Sequence, residues 1–139
     1  MKTYLDASVI LRRALDEPSS TIPWSEVGET VTSRITQVEC FRALDRLRHE
    51  LAEDEVGLAR AREVVYRAFD SCHVIELGAS VLGQAGMPFP VAIKTLDAVH
   101  LASALTYRDL TGTPVRMATH DRSLARASRS MGFEVVGAP

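Results

Sequence analysis

The chain has 139 residues, of which 46% are hydrophobic and 24% charged, enough for one domain over 1–139 with a sizeable core and an ordinary globular composition free of low-complexity tracts. Its 16 basic and 18 acidic side chains give a net charge of −2, so there is no molecule-wide basic footprint for nucleic acid and any such contact has to be local. No apolar run approaches the roughly 18 residues of a membrane span, and no basic region with a signal core opens the chain, which predicts a cytoplasmic protein with no membrane partner.

Taken in order, residues 2–5 suit a short strand, and from about Ser8 the spacing of Val9, Ile10, Leu11, Ala14 and Leu15 becomes helical until Pro18. Asp6 stands at the hand-over, where it either caps the helix or contributes to a ligand site at the C-terminal edge of a parallel sheet. Ser8 carries the same alternatives. A loop from Pro18 to Gly28 contains Trp24, read as a packing anchor. Residues 29–35 form a second strand, and Val38, Phe41, Leu44, Leu47 and Leu51 mark a helix that opens at Thr36. Thr36-Gln37-Val38-Glu39 fits a capping box, with Glu39 reaching back to the Thr36 amide. The same position puts Glu39 on the edge where Asp6 is expected.

A helix from about Glu53 to Phe69 is amphipathic scaffold. Arg42, Arg46, Arg48, Arg60, Arg62 and Arg67 are read as phosphate contacts or, more commonly, a solvated face. Residues 72–77 make a third strand, with His73 as a packed or edge histidine, and 79–85 a short helix ended by Gly86. Cys40 and Cys72 have neither zinc-site spacing nor disulfide density and are expected as buried thiols. Pro88 and Pro90 then break regular structure.

The next helix, Thr95-Leu96-Asp97-Ala98-Val99-His100-Leu101-Ala102-Ser103-Ala104-Leu105, has Asp97 as its one formal charge and no broad polar face. A helix apolar nearly all round is buried, and a carboxylate there costs several kcal/mol unless a cation or hydrogen bonds compensate it. Lys94 or a metal ion would do so; alternatively Thr95 is the N-cap and Asp97 a first-turn acid favoured by the helix dipole. Gly112-Thr113-Pro114 is a turn, residues 115–119 a fourth strand, 122–131 a helix ended by Gly132, and 133–136 a last strand. Asp121 follows His120 at this further strand-to-helix junction.

Strand–helix alternation predicts an α/β fold with a central parallel sheet flanked by helices, which lines the junctions along one edge. Asp6, Glu39, Asp97 and Asp121 are then expected in one pocket, where mutual repulsion calls for a cation. An all-oxygen donor set suits Mg²⁺ or Mn²⁺, and such a site suits phosphodiester hydrolysis by activated water.

The runs Tyr4-Leu5-Asp6-Ala7-Ser8, Thr36-Gln37-Val38-Glu39, Leu96-Asp97-Ala98-Val99-His100-Leu101-Ala102-Ser103-Ala104 and Ala118-Thr119-His120-Asp121-Arg122-Ser123-Leu124 together resemble PIN-domain proteins, and among them VapC-type toxins. The resemblance covers essentially the whole chain, although 51–90 adds length and helices but no motif. It implies a single PIN domain and a Mg²⁺-dependent endoribonuclease of a bacterial or archaeal toxin–antitoxin pair. Asp6, Glu39, Asp97 and Asp121 match the metal-binding acids, and Ser8 and Thr119 the hydroxyls that orient them. It also implies RNA as substrate, products with 5′-phosphate and 3′-hydroxyl ends, a homodimer, and a VapB-like antitoxin whose tail occupies the groove. His100 and His120 lie close to two of the acids, where a histidine can be a ligand or proton shuttle, but His100 falls in a motif whose histidine looks structural in this family, and both are expected to pack. A receiver domain would need an acidic pair after the first strand, and a haloacid-dehalogenase-like phosphatase a second Asp where Ser8 stands. The remaining competitor is a non-catalytic PIN-fold binding module whose acids only cap helices.

Overall fold

The alternation at the start of the chain becomes the middle of the sheet. In a computed structural model that describes residues 1–17, 22–50 and 54–139, strand β1 (Lys2–Leu5) pairs on one side with β2 (Thr30–Ser33) and on the other with β4 (Val115–Ala118), and β3 (Cys72–Ile75) and β5 (Val135–Val136) complete the edges. All pairings are parallel, in the order β3-β2-β1-β4-β5, with Tyr4 opposite Val31 and Leu5 opposite Ala118. The chain builds outward from β1 in one direction through β3, then returns to add β4 and β5 on the other side. The reversal puts a crevice between the carboxyl ends of β1 and β4, where open parallel sheets bind ligands.

Successive β1 side chains enter different cores, as the two-residue period of a strand requires. Leu5 packs with Ala118 against helices α1 (Ala7–Ala14), α2 (Arg34–Glu50) and α3 (Glu55–Ser71), whose Val9, Ile10, Cys40, Leu44, Val65 and Phe69 fill that layer. Tyr4 packs with Val31 and Met117 on the opposite face, under α5 (Thr95–Thr111) and α6 (Arg122–Ser130), with α4 (Ala79–Ala85) against α5.

Helix α5 is buried continuously from Ala98 to Tyr107, as its apolar wheel predicts. The reason is that α2, α4 and α6 together with β2 and β4 all pack on it, leaving no side for water. Leu96, one turn earlier, stays 48% exposed because the helix has not yet entered this packing. At the other end Gly112 takes the left-handed conformation (φ 66°) and its amide donates to the Arg108 carbonyl at 2.9 Å, a closure that a Cβ would strain.

Several boundaries differ from the sequence expectation. Helix α2 begins at Arg34, two residues before Thr36, because Ser33 Oγ accepts the Ile35 amide at 3.2 Å. Thr36 therefore lies inside the helix and is no capping-box residue. Lys94, not Thr95, occupies the N-cap of α5, and no side chain caps it. The last strand is only two residues long, since the Phe133 amide is taken by the Ser128 carbonyl at 3.0 Å. Cys72 is half-buried while Cys40 is buried as expected. The start of the Pro18 loop (18–21), Leu51 on the second helix and the Glu53 start of the third (51–53) lie outside the described residues. No helix among the described residues is long and apolar enough to cross a membrane.

Candidate functional site

Asp6 follows β1 directly, at the N-cap of α1, and is the most enclosed of the four acids, with 4% of its surface exposed. It is both helix cap and site residue: Oδ1 accepts the Val9 amide at 3.2 Å, and the two hydroxyls singled out in the sequence hold the rest of the carboxylate. Ser8 Oγ donates to Oδ1 at 2.6 Å and Thr119 Oγ1 to Oδ2 at 2.5 Å. Each hydroxyl in turn accepts an amide from the turn after β4, Ser8 from His120 at 2.9 Å and Thr119 from Asp121 at 3.0 Å. Two amide–hydroxyl–carboxylate chains thus dock the Asp121 turn onto Asp6. Burial raises the Asp6 pKa, opposed by the His100 ring and by the hydrogen bonds from Ser8, Thr119 and Val9.

Glu39 lies on the second turn of α2 and is half-buried. Its Oε1 meets His100 Nε2 at 2.5 Å, and His100 Nδ1 meets the Tyr4 hydroxyl at 2.8 Å. The capping-box expectation therefore fails: Glu39 turns toward α5 rather than back to the Thr36 amide. His100 is buried, as packing predicts, yet it contacts a site acid, which the sequence reading missed. Its position three residues after Asp97 was the available signal, because residues i and i+3 share a helix side.

Asp97, half-buried in the first turn of α5, has no hydrogen bond and no ion pair with Lys94 among the described residues. Its pKa is raised, first by burial and then by the charges of Asp121, Asp6 and Glu39, against the lowering influence of His100. Those contributions place the other three acids within reach of Asp97. Asp121 is exposed, and its Oδ1 caps α6 by accepting the Leu124 amide at 2.9 Å. The acids therefore run from buried Asp6 through Glu39 and Asp97 to solvent-facing Asp121.

Among the described residues, no three Asp, Glu, His or Cys side chains are already arranged to hold one ion. The carboxylates are engaged elsewhere: Asp6 with Ser8 and Thr119, Glu39 with His100, Asp121 with α6. The donor set nonetheless fits a hard divalent cation. Asp97 is half-buried beside three other acids and has no hydrogen-bond partner for its carboxylate among the described residues, while Asp6 Oδ2, Glu39 Oε1 and Asp121 Oδ1 each accept a single hydrogen bond and keep a lone pair.

A cavity of about 790 Å³ elsewhere, toward the amino ends of β1–β3, is lined by Lys2, Trp24, Glu29 and His73 among others, and by none of the four acids. Its cations are occupied, Lys2 with Glu29 at 2.9 Å and Arg67 with Glu63 at 2.8 Å, while Arg13 stacks on Trp24. On α2, Arg42 and Arg48 pair with Asp45, the solvated face that the sequence allowed. His73 is exposed on the edge strand beside the Tyr107 ring. His120 donates from Nδ1 to the Gly137 carbonyl at 3.0 Å, a packing role as expected.

The PIN domain family model matches residues 3–129. Ribonuclease VapC46 of Mycobacterium tuberculosis is 30% identical over 136 residues, covering 96% of this chain and 95% of that protein. Ribonuclease VapC47 of the same species is 30% identical over 138 residues, covering 94% and 92%. Among solved structures, PAE2754 from Pyrobaculum aerophilum superposes with a TM-score of 0.60 at 18% identity, over 97% of this chain and 83% of that one, which speaks to the fold alone. With a parallel sheet, acids at its switch point and matches along almost its whole length, the chain belongs to the PIN domain family and is of the VapC type.

Proposed function

We propose that this protein is a Mg²⁺- or Mn²⁺-dependent endoribonuclease, the toxin of a toxin–antitoxin pair, with Asp6, Glu39, Asp97 and Asp121 as the acids that hold the metal. The observation that carries this reading is Asp97: a half-buried carboxylate without a hydrogen bond among the described residues, driven up in pKa by burial and by three other acids. The ribonuclease names of the two mycobacterial relatives agree with it. When bound, the metal would polarise the phosphodiester and lower the pKa of the attacking water. The protein's own share is positional. Ser8 and Thr119 hold Asp6 in one rotamer, the docked 119–121 turn brings Asp121 to the same edge, and α5 delivers Asp97. No side-chain nucleophile is needed.

The competing reading, a binding module whose acids only cap helices, has support from Asp6 on α1 and Asp121 on α6. Glu39 and Asp97 cap nothing, which favours the nuclease. The antitoxin partner, the homodimer and the cytoplasmic location belong to the same proposal, and the VapC relationship is their support. RNA cleavage with and without Mg²⁺ tests it: cleavage should require the metal and fall by about 10²-fold or more in Asp97→Asn, the scale of losing one group that stabilises developing charge. Equal cutting by both proteins would sink the assignment.

A further inference from the structure

The Tyr4–His100–Glu39 chain joins the three elements that carry three of the four acids. Tyr4 is on β1 two residues before Asp6, His100 is on α5 one turn after Asp97, and Glu39 is on α2. Tyr4 and His100 are 0% and 2% exposed, so the two bonds run through the core, while Glu39 reaches from it toward the edge. The bond roles follow from chemistry. A carboxylate only accepts, so His100 Nε2 carries the proton given to Glu39 Oε1. In the neutral ring Nδ1 is then an acceptor, and the buried Tyr4 hydroxyl donates to it. This leaves Glu39 Oε2 without a partner among the described residues and sets the direction of the side chain from inside the protein. The same edge-on contact of the Tyr4 and His100 rings, 78° apart, prevents the imidazole from turning away.

We propose that His100, oriented by Tyr4, is a positioning residue that holds Glu39 toward the other acids and thereby sets the metal affinity of the site. The inference rests on the metal-dependent reading above. A histidine that merely filled the core would need neither bond, and apolar residues of similar volume would serve in its place. Here both ring nitrogens are used, one toward the site and one away from it, the arrangement by which outer partners tune a ligand.

Calorimetric titration of the full chain with Mn²⁺ tests this, beside metal-free melting temperatures and the ¹⁵N shifts of the His100 ring. His100→Leu should weaken Mn²⁺ binding by about 10- to 100-fold, whereas His100→Gln, whose amide keeps a donor for Glu39, should stay within about threefold of wild type. The loss in His100→Leu should vanish in a Glu39→Gln background, because residues acting through one another are not additive. The wild-type ring should be protonated at Nε2, and Tyr4→Phe, which leaves Nδ1 without its donor and so loosens the ring while Glu39 still holds the proton on Nε2, should weaken Mn²⁺ binding. A folded His100→Leu protein that binds Mn²⁺ like wild type overturns the inference alone. If His100→Leu does not fold, unchanged Mn²⁺ affinity in Tyr4→Phe overturns it instead. A wild-type protein that binds no Mn²⁺ overturns the metal reading and takes the inference with it.

Discussion

The Asp6 and Asp97 carboxyls both have pKa values raised above the usual 3.8, with burial the first cause in each and, for Asp97, neighbouring acids the next. Their ionisation therefore opposes folding. The stability they contribute is fully present below the ordinary carboxylate value and is lost as pH rises through their raised ones. The metal-free protein takes on this cost as pH rises through those raised values. Asp97→Asn removes one share of it, so the metal-free variant should melt above wild type near neutral pH, with the gap closing as pH falls toward 4. Thermal melts across that range check the sign. A variant less stable than wild type at every pH would show that Asp97 has a stabilising partner. This outcome separates a site of mutually repelling acids from a first-turn acid that serves only the helix dipole, whose neutralisation costs about 0.3–1 kcal/mol.

At the scale of elements, the turn between β4 and α6 is where packing meets the site. Its Thr119 amide donates to the Val136 carbonyl at 3.0 Å, its His120 ring to Gly137, and its hydroxyl and amides to the Asp6 network. Gly137 has φ 96°, and a Cβ there would stand 2.6 Å from the Thr119 carbonyl oxygen and 2.6 Å from Ile22 Cδ1. Backbone cannot give way cheaply. Gly137→Ala should therefore destabilise the protein by about 1–3 kcal/mol, read by urea unfolding, and should displace Thr119 from Asp6. Helix α5 shows the converse case. Its residues were legible as a buried helix because Ala, Leu and Val surround it on all sides, while its exposed first turn, with Leu96 outside and Lys94 at the cap, follows from where its neighbours stop.

For the molecule as a whole, a site built from acids on four separate segments couples ligand binding to folding. Mn²⁺ at about 100 times its Kd should stabilise the folded protein by about 2.7 kcal/mol, seen as a rise in melting temperature that Asp97→Asn lacks. An equal rise in both proteins would place the ion elsewhere. The strand–helix alternation, the parallel sheet and the acids near its junctions were all legible in the residues, and the family resemblance marked Ser8 and Thr119 as hydroxyls that orient acids, although only the structure assigns both to Asp6. Of the two alternatives for Glu39 the capping box at Thr36 is not formed, and the packing role expected of His100 omitted its bond to Glu39, because a local pattern cannot reveal a distant partner. Residue patterns alone determined which segments are strands or helices and which acids stand between them, since periodicity and capping act over a few neighbouring residues. Tertiary structure alone decided the strand order, the gradient of exposure from Asp6 to Asp121 and the Tyr4–His100–Glu39 chain. The two bonds of that chain span 96 and 61 residues, and only the sheet's crossovers and the enclosure of α5 bring such distant groups within hydrogen-bonding range.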